Sequence, residues 1–184
     1  MPSVCVRILT NSPSTTTSRV QSGSIVQVSI SRGGVPKRAI PEADIGPLGI
    51  AGDDHAHPEI HGGPRQAILL IAQEAIADLT AQGFPLYPGA LGENITTLGL
   101  DHKQWRPGQR WRVGQAIVEF TKVRAPCSQL SVYGPGIQKA IYDARVDEGD
   151  PSSPRWAMSG FYARILQPGI VRPNDPISLL DQIV

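Results

Sequence analysis

The sequence predicts a mainly β fold, a single bent or closed β-barrel with a few α-helices. Short runs rich in β-branched and aromatic residues recur along the chain, which is typical of strands. The 184 residues include 19 glycines and 17 prolines, spread throughout as turns between short elements. Only two segments have helical periodicity. Many short strands with few helices favour a closed or partly closed barrel.

The composition narrows the class of protein. A length of 184 residues suggests one domain, and a hydrophobic content of 40% predicts a packed core. The net charge is +1 and basic residues form no runs, which argues against a general nucleic-acid binder. No apolar stretch approaches the roughly 20 residues that span a bilayer, and the start of the chain lacks a secretory pattern. We therefore expect a cytoplasmic protein with no nucleic-acid or membrane partner.

The chain divides into two regions by composition. Residues 1–24 contain a short apolar strand at 4–9 and a Ser/Thr-rich arm at 10–24. The arm has little apolar area to bury, so we expect it to be flexible and dispensable for folding. Residues 25–184 form the barrel domain.

The elements of the barrel domain follow from local patterns. A β-branched run at 25–30 predicts a strand that ends at the turn containing Gly33 and Gly34. Residues 73–82 predict a helix, with Gly83 as its C-terminal stop. Further elements are a glycine-bounded segment at 91–98, a hairpin of 109–113 with 116–123, a second helix at 136–145 and a strand at 161–166.

Cys127 is the main candidate for chemistry. It directly follows a predicted strand, and functional residues often lie at such ends. Arg124, three residues earlier, would favour the thiolate, which attacks electrophiles and binds soft metals. The alternative is a buried structural cysteine, although Pro126 argues against a core strand there. Cys5 lies within an apolar strand and fits a packing role, and no disulfide is expected.

Three histidines, His55, His57 and His61, lie close to Asp53 and Asp54 in one loop. Together these side chains could form a metal site, although their spacing matches no familiar zinc pattern. The alternative is a polar loop in which the two glycines after His61 let the backbone approach a ligand closely.

Other polar candidates lie beside glycines. Asn94 follows Glu93 between glycines and a strand, and its amide offers both donors and an acceptor; the alternative is an ordinary turn. Ser31 and Lys37 flank the glycine turn after the first predicted strand. They could bind an anion or be surface residues.

Taken together, these segments resemble the MOSC domain family, named for the C-terminal domain of molybdenum-cofactor sulfurases. The resemblance extends over roughly residues 25–180, and the shared order of the motifs is specific although each motif alone is weak. The matching segments are residues 28–31, 33–37, 49–53, 61–63, 66–68, 88–96, 107–108, 113–114, 124–127, 161–166 and 168–169.

The resemblance implies a strongly bent β-barrel and a molybdenum-cofactor site. Cys127 matches the family cysteine that ligates molybdenum in members that reduce N-hydroxylated compounds. Ser31, Asn94 and Arg124 would face the pterin and its phosphate, with Lys37 as a further cofactor-binding candidate. His61 would lie at the pocket rim as a second catalytic candidate.

Two departures from the family pattern leave substrate handling open. Many relatives carry an aspartate where this chain has His57, and an acidic residue where it has Arg65. The pyridoxal-phosphate desulfurase domain of the large sulfurases has no counterpart in these 184 residues.

Three functional hypotheses remain open at this point, and enzyme activity is not decided among them. The first is a molybdenum-cofactor reductase of small N-hydroxylated or related compounds, served by an electron-donor protein because no flavin, haem or iron–sulfur motif is visible. The second is a non-catalytic sulfur carrier, in which Cys127 holds a persulfide received from a sulfur-donor protein. The third is a structural cysteine beside an unrelated pocket.

Overall fold

The computed structural model describes residues 21–54 and 62–181. Within these ranges a mainly β fold is accompanied by three short α-helices and two 3₁₀ segments. The strands are β1 (Ser22–Ile30), β2 (Arg38–Ile40), β3 (Ala43–Gly46), β4 (Gly49–Ile50), β5 (Ile68–Ala72), β6 (Ile95–Leu98), β7 (Arg110–Val113), β8 (Ala116–Val123), β9 (Phe161–Gln167), β10 (Gly169–Val171) and β11 (Pro176–Asp181). The helices are α1 (Gln73–Ala81), α2 (Ile137–Ile141) and α3 (Ala144–Asp147), and the 3₁₀ segments are His102–Gln104 and Ser128–Tyr133.

Seven strands close into a barrel, as predicted. Their order is β11-β7-β8-β9-β5-β6-β1, and β1 pairs back with β11. Strand β2 continues the sheet beside β1 outside the ring, and a small second sheet has the order β10-β3-β4. Closure gives each of the seven strands a neighbour on both sides, so in the described part of the chain the barrel has no long unpaired edge.

Strands β5 and β6 are parallel neighbours, and helix α1 lies between them in the chain. A parallel pair needs a crossover of this kind. The predicted helix at 73–82 is confirmed, and Gly83 follows its C-cap with φ of +98°, a conformation that glycine adopts without strain. The predicted hairpin is also confirmed, as β7 and β8 with Gly114 in the turn.

The second predicted helix is wrong in extent, because two short helices replace one continuous helix at 136–145. The chain leaves the helical conformation at Tyr142, with ψ of 143°. Asp143 then begins α3 by accepting a hydrogen bond from the amide of Val146 at 3.0 Å. Aspartate favours this N-cap position over a helix interior, and that preference divides the segment.

The first barrel strand begins at Ser22, three residues earlier than predicted. Ser22 pairs with Ser178 and Gly23 with Ile177, so these residues help to close the barrel. The expectation of a flexible arm is therefore wrong for residues 22–24, which are strand, whereas the dispensability of the stretch for folding stays a prediction. The expectations for the strand at 4–9, for Cys5 and for residues 10–20 fall outside the described residues.

Two hydrophobic clusters lie on opposite faces of the sheet. Strand β5 contributes Ile68, Leu70 and Ala72 to the cluster that fills the barrel, and Leu69 and Ile71 to a second cluster under α1 and α2. Successive side chains of a strand point to opposite faces, so a strand buried on both faces is apolar throughout. This double burial positions the site, because the second cluster forms one wall of the cleft described below.

Within the described ranges, no helix is long and apolar enough to cross a membrane.

Candidate functional site

Five of the six predicted site residues line a single cleft. It is lined by Ser31, Lys37, Asn94, Arg124 and Cys127, which come from distant parts of the chain. Closure of the barrel explains this, since the loops after β1, before β6 and after β8 meet at one place. The sixth residue, His61, lies outside the described residues, as do His55 and His57.

Arg124 is the buried cation of the cleft. It directly follows β8, and its backbone is fixed at both ends: its amide donates to the carbonyl oxygen of Gly160 at 2.9 Å, and its own carbonyl accepts from the hydroxyl of Ser159 at 2.6 Å. Only 4% of the residue is exposed. Its Nη2 donates to Cys127 Sγ at 3.5 Å, whereas Nε and Nη1 are buried with no hydrogen-bond partner among the described residues. A buried charged donor left unpaired is costly, so these two nitrogens favour an anionic ligand.

Cys127 has a free thiol and is partly exposed. It precedes the 3₁₀ segment Ser128–Tyr133, and its carbonyl accepts from the amide of Leu130 at 3.3 Å. The side chain packs against the second hydrophobic cluster and lines the cleft beside Arg124. A thiol that contacts both a cation and an open cleft differs from the fully buried structural cysteine that was the alternative.

Asp53 joins three of the predicted residues beneath the cleft. Its Oδ1 accepts from the amide of Ser31 at 2.8 Å, and its Oδ2 accepts from Asn94 Nδ2 at 2.7 Å. Oδ2 also forms an ion pair with Lys37 Nζ, and both of these side chains are almost entirely buried. The carboxylate is thus satisfied by three donors, which is what a buried charge requires.

Asn94 is positioned by hydrogen bonds that use both of its amide hydrogens. Nδ2 donates to Asp53 and to the carbonyl oxygen of Ser29 at 3.2 Å, and Oδ1 accepts from the amide of Leu69 at 3.1 Å. The side chain therefore joins β1 to β5 at the point where the chain enters β6. Its geometry fits a positioning role better than the predicted role of donor to a ligand.

Ser31 lies at the more exposed rim of the same cleft. Its hydroxyl donates to the carbonyl oxygen of Asp54 at 3.4 Å and accepts from the amide of Gly33 at 3.2 Å. Across the cleft, a Cβ at Gly34 would lie 3.2 Å from Oε1 of Gln129. The glycine turn thus lets the loop after β1 approach the segment that follows Cys127.

The electrostatics of the cleft are set by burial. Burial lowers the pKa of Lys37, and the charge and hydrogen bond of Asp53 raise it again. Glu93 lies behind the cleft, fully buried, and its Oε1 accepts from the amide of Gly89 at 2.5 Å and from Thr96 Oγ1 at 3.0 Å. Burial raises the pKa of the Glu93 carboxyl, against the opposing effect of its hydrogen bonds and of Arg124.

The sequence did not predict the roles of three residues at this site. Asp53 accepts hydrogen bonds from three of the predicted residues, Glu93 is a buried acid behind the cleft, and Tyr162 lines the cleft. Strand alternation could have found Tyr162, because Phe161 and Ala163 face the barrel interior and Tyr162 must then face outward. Burial raises the pKa of Tyr162, while the adjacent Arg124 lowers it through its charge and a hydrogen bond.

The predicted histidine loop, at residues 55–61, lies outside the described residues. Among the described residues, no group of three or more His, Cys, Asp or Glu side chains is close enough to hold a metal ion. Arg65, which stands where many relatives have an acidic residue, is exposed, and its carbonyl accepts from Thr121 Oγ1 at 2.7 Å.

Comparison with known proteins places these features in a family. A model of the MOSC domain matches residues 57–178. Protein YiiM of Escherichia coli (strain K12) is 26% identical over 141 residues, which cover 74% of this chain and 58% of YiiM. The uncharacterized protein YflK of Bacillus subtilis (strain 168) is 28% identical over 134 residues, covering 71% of this chain and 55% of YflK. This chain therefore spans a little over half the length of these curated relatives.

Solved structures support the same assignment. The crystal structure of YiiM from Geobacillus stearothermophilus is similar with a TM-score of 0.64 at 26% identity, covering 86% of this chain and 75% of that chain. The crystal structure of Escherichia coli YiiM has a TM-score of 0.61 at 22% identity, covering 90% and 71%, which is a likeness of fold alone. The barrel and the family match agree, and this chain belongs to the MOSC domain family.

Proposed function

We propose that this chain binds the molybdenum cofactor in the cleft and reduces N-hydroxylated or related compounds with electrons from an external donor protein. In such a reaction the N–O bond breaks, two electrons and two protons are consumed, and water leaves. The observation that carries the proposal is the pairing of a cleft thiol with Arg124, whose guanidinium is buried with two unpartnered nitrogens.

The residues present fit such a cofactor. A cysteine thiolate is a soft ligand suited to a metal centre of this kind. A guanidinium binds anions through its N–H donors, and Arg124 Nε and Nη1 are two such donors without another partner among the described residues. Because Arg124 Nη2 lies 3.5 Å from Cys127 Sγ, these features support a ligand with an anionic group close to its metal.

The roles of the chain's own residues follow from their contacts. Cys127 would hold the metal, and Arg124, whose Nη2 lies 3.5 Å from Cys127 Sγ, would bind an anionic group of the cofactor close to it. Asn94 and Asp53 would hold the loops around the cleft, and Leu69 and Tyr162 would exclude water from one wall. When bound, the cofactor supplies the two-electron redox chemistry, which no side chain of this site can perform alone.

Metal and pterin analysis of protein purified from a cofactor-competent host tests this proposal. We expect stoichiometric molybdenum and pterin in the unaltered protein, and loss of molybdenum in Cys127→Ser. Ser128→Ala is the matched control, because Ser128 is adjacent and exposed, and it should keep the metal. Arg124→Ala should reduce cofactor retention at least about tenfold, or ~1.4 kcal/mol. Equal retention in all four proteins would overturn the proposal.

A second candidate is a sulfur carrier, and the partial exposure of the Cys127 thiol beside a cation favours it. A persulfide on Cys127 would pass its outer sulfur to an acceptor thiolate or carbon, with the S–S bond breaking and the Cys127 thiolate leaving. Cyanolysis of the same preparations distinguishes the two functions. Labile sulfur that depends on Cys127, in protein without molybdenum, would support the carrier.

A further inference from the structure

The cleft contains two buried cations, of which one is paired with a carboxylate and the other has nitrogens left unpaired in the described part of the chain. Lys37 and Arg124 are 7% and 4% exposed, and both line the cleft. Lys37 Nζ forms an ion pair with Asp53, whose side chain is only 2% exposed. Arg124 has two nitrogens without a partner among the described residues. One cation is therefore neutralised within the protein and the other is available to a ligand.

Asp53 occupies the position at which three separate segments meet. Its donors are the amide of Ser31 after β1, the ammonium of Lys37 before β2 and the amide group of Asn94 before β6. Asp53 itself follows β4 and its own amide donates to the carbonyl of Ile50 at 3.1 Å. A single carboxylate thus fixes the floor of the cleft and supplies the negative charge beside Lys37.

We infer that Asp53 is a positioning residue that sets the charge selectivity of the cleft: by neutralising Lys37 it leaves Arg124, beside Cys127, to receive the anionic end of a ligand. The sequence alone leaves Lys37 as a further candidate for that role beside Arg124. The inference extends the proposed function, because it explains through Asp53 why Arg124 and not Lys37 binds the anion, but it concerns charges that are present without any cofactor.

The two cations affect each other, so a change at Asp53 should reach Cys127. Burial lowers the pKa of Lys37, Asp53 raises it, and the charge of Arg124 lowers it further. If a neutral residue replaced Asp53, a charged Lys37 would add an uncompensated positive potential to the cleft. If Lys37 lost its charge, Asp53 would add a negative one. Loss of both charges together should leave the potential at the cysteine nearly unchanged.

Alkylation of Cys127 can measure this potential in the protein without cofactor. In both iodoacetate and iodoacetamide the thiolate attacks carbon, an S–C bond forms and iodide leaves. The two reagents differ in charge, so the ratio of their rates reports the potential at the sulfur and not its accessibility. Peptide mass mapping assigns the product to Cys127, since Cys5 is a second thiol.

We expect Asp53→Asn to raise the iodoacetate-to-iodoacetamide ratio at least about threefold, and Lys37→Met to lower it by a similar factor. A partly screened unit charge acts on the anionic reagent with an energy on the order of RT. Asp53→Asn combined with Lys37→Met should return the ratio to within about twofold of the unaltered protein. Arg124→Gln should lower it at least about threefold, and Lys139→Met, an exposed lysine of α2, should not change it.

The double variant decides the matter. If it lowers the ratio as much as Arg124→Gln does, Lys37 receives the anion and Asp53 is only structural, which overturns the inference. An Asp53→Asn ratio equal to that of the unaltered protein also overturns it. Should Asp53→Asn fail to fold, the double variant and Lys37→Met still give the comparison. Molybdenum retention measured on the same variants from the cofactor-competent host separates the two proposals, because the alkylation ratio is independent of cofactor binding.

Discussion

The backbone amide of Arg124 donates to the carbonyl oxygen of Gly160 at 2.9 Å, so the chain leading into β9 holds the cation of the cleft in place. Gly160 has φ of +84°, and a Cβ there would lie 2.5 Å from the carbonyl oxygen of Leu70 and 2.5 Å from Cγ1 of Ile71. Strand β5 and the segment before β9 can approach this closely only because residue 160 has no side chain.

Gly160→Ala should therefore lower the free energy of unfolding by more than the strain of a positive φ alone would. Overpacking against backbone adds about 1–3 kcal/mol to the roughly 1–2 kcal/mol cost of a positive φ. Gly149→Ala is the matched control, with φ of +80° and no atom within 4 Å of the added Cβ. Denaturant unfolding of both variants measures the difference. Equal losses would mean that the segment before β9 moves away from β5 without cost.

Ser159→Ala tests the second backbone contact of Arg124. The buried hydroxyl of Ser159 donates to the Arg124 carbonyl at 2.6 Å. Its removal leaves a buried acceptor without this donor, which costs about 1–3 kcal/mol. The control is Ser131→Ala, where an exposed hydroxyl donates to the carbonyl of Ser128 at 2.8 Å, and about 0.5 kcal/mol or less is expected. A smaller effect at Ser159 than at Ser131 would contradict the proposed anchoring.

Two internal deletions test where the barrel begins. Excision of residues 10–20, rejoined by a short flexible linker, should lower Tm by less than about 4 °C, because this Ser/Thr-rich stretch has little apolar area to bury. Excision of residues 10–24 with the same linker also removes the pairing of Ser22, Gly23 and Ser24 with β11. A fall of more than about 8 °C, roughly 2 kcal/mol or more, is expected. Similar Tm values would show that barrel closure at β1 contributes little.

The sequence predicted the barrel well because its signals are local. Glycine turns, a two-residue hairpin connection and alternating β-branched residues act within a few positions of the chain. Gly83 ends helix α1 and Gly114 lies in the β7–β8 turn, as predicted. The start of β1 was missed for the same reason. Ser22, Gly23 and Ser24 have the composition of a loop, and only their pairing with β11, far along the chain, makes them a strand.

In the site, too, the local contacts were predictable from the sequence and the long-range contacts were not. Arg124 and Cys127 are three residues apart, so their contact follows from local reasoning. The ion pair between Lys37 and Asp53 spans 16 residues, and the contact of Asn94 with Asp53 spans 41. Such contacts exist only after the barrel has closed, so no local pattern indicates that Lys37 is neutralised or that both amide hydrogens of Asn94 are donated within the protein.

Glu93 makes the stability of the folded chain depend on pH. Burial raises the pKa of its carboxyl above the unfolded value. Between the unfolded and folded pKa values the folded chain therefore holds one proton more than the unfolded chain. The free energy of unfolding then falls as pH rises, by up to about 1.4 kcal/mol per pH unit. This contribution is fully present below the unfolded pKa and is lost as pH rises through the folded value.

Glu93→Gln should remove that dependence. A glutamine carbonyl can still accept from the Gly89 amide and from Thr96 Oγ1, as Glu93 Oε1 does, and it carries no charge to bury. We expect the variant to gain stability relative to the unaltered protein as pH increases from about 4.5, near the usual value for glutamate, towards 8. Urea unfolding at several pH values measures this difference. A difference that stays constant with pH, or that shifts in favour of the unaltered protein, would mean that Glu93 is ionised in the folded chain at no cost, stabilised by Arg124 and Lys37.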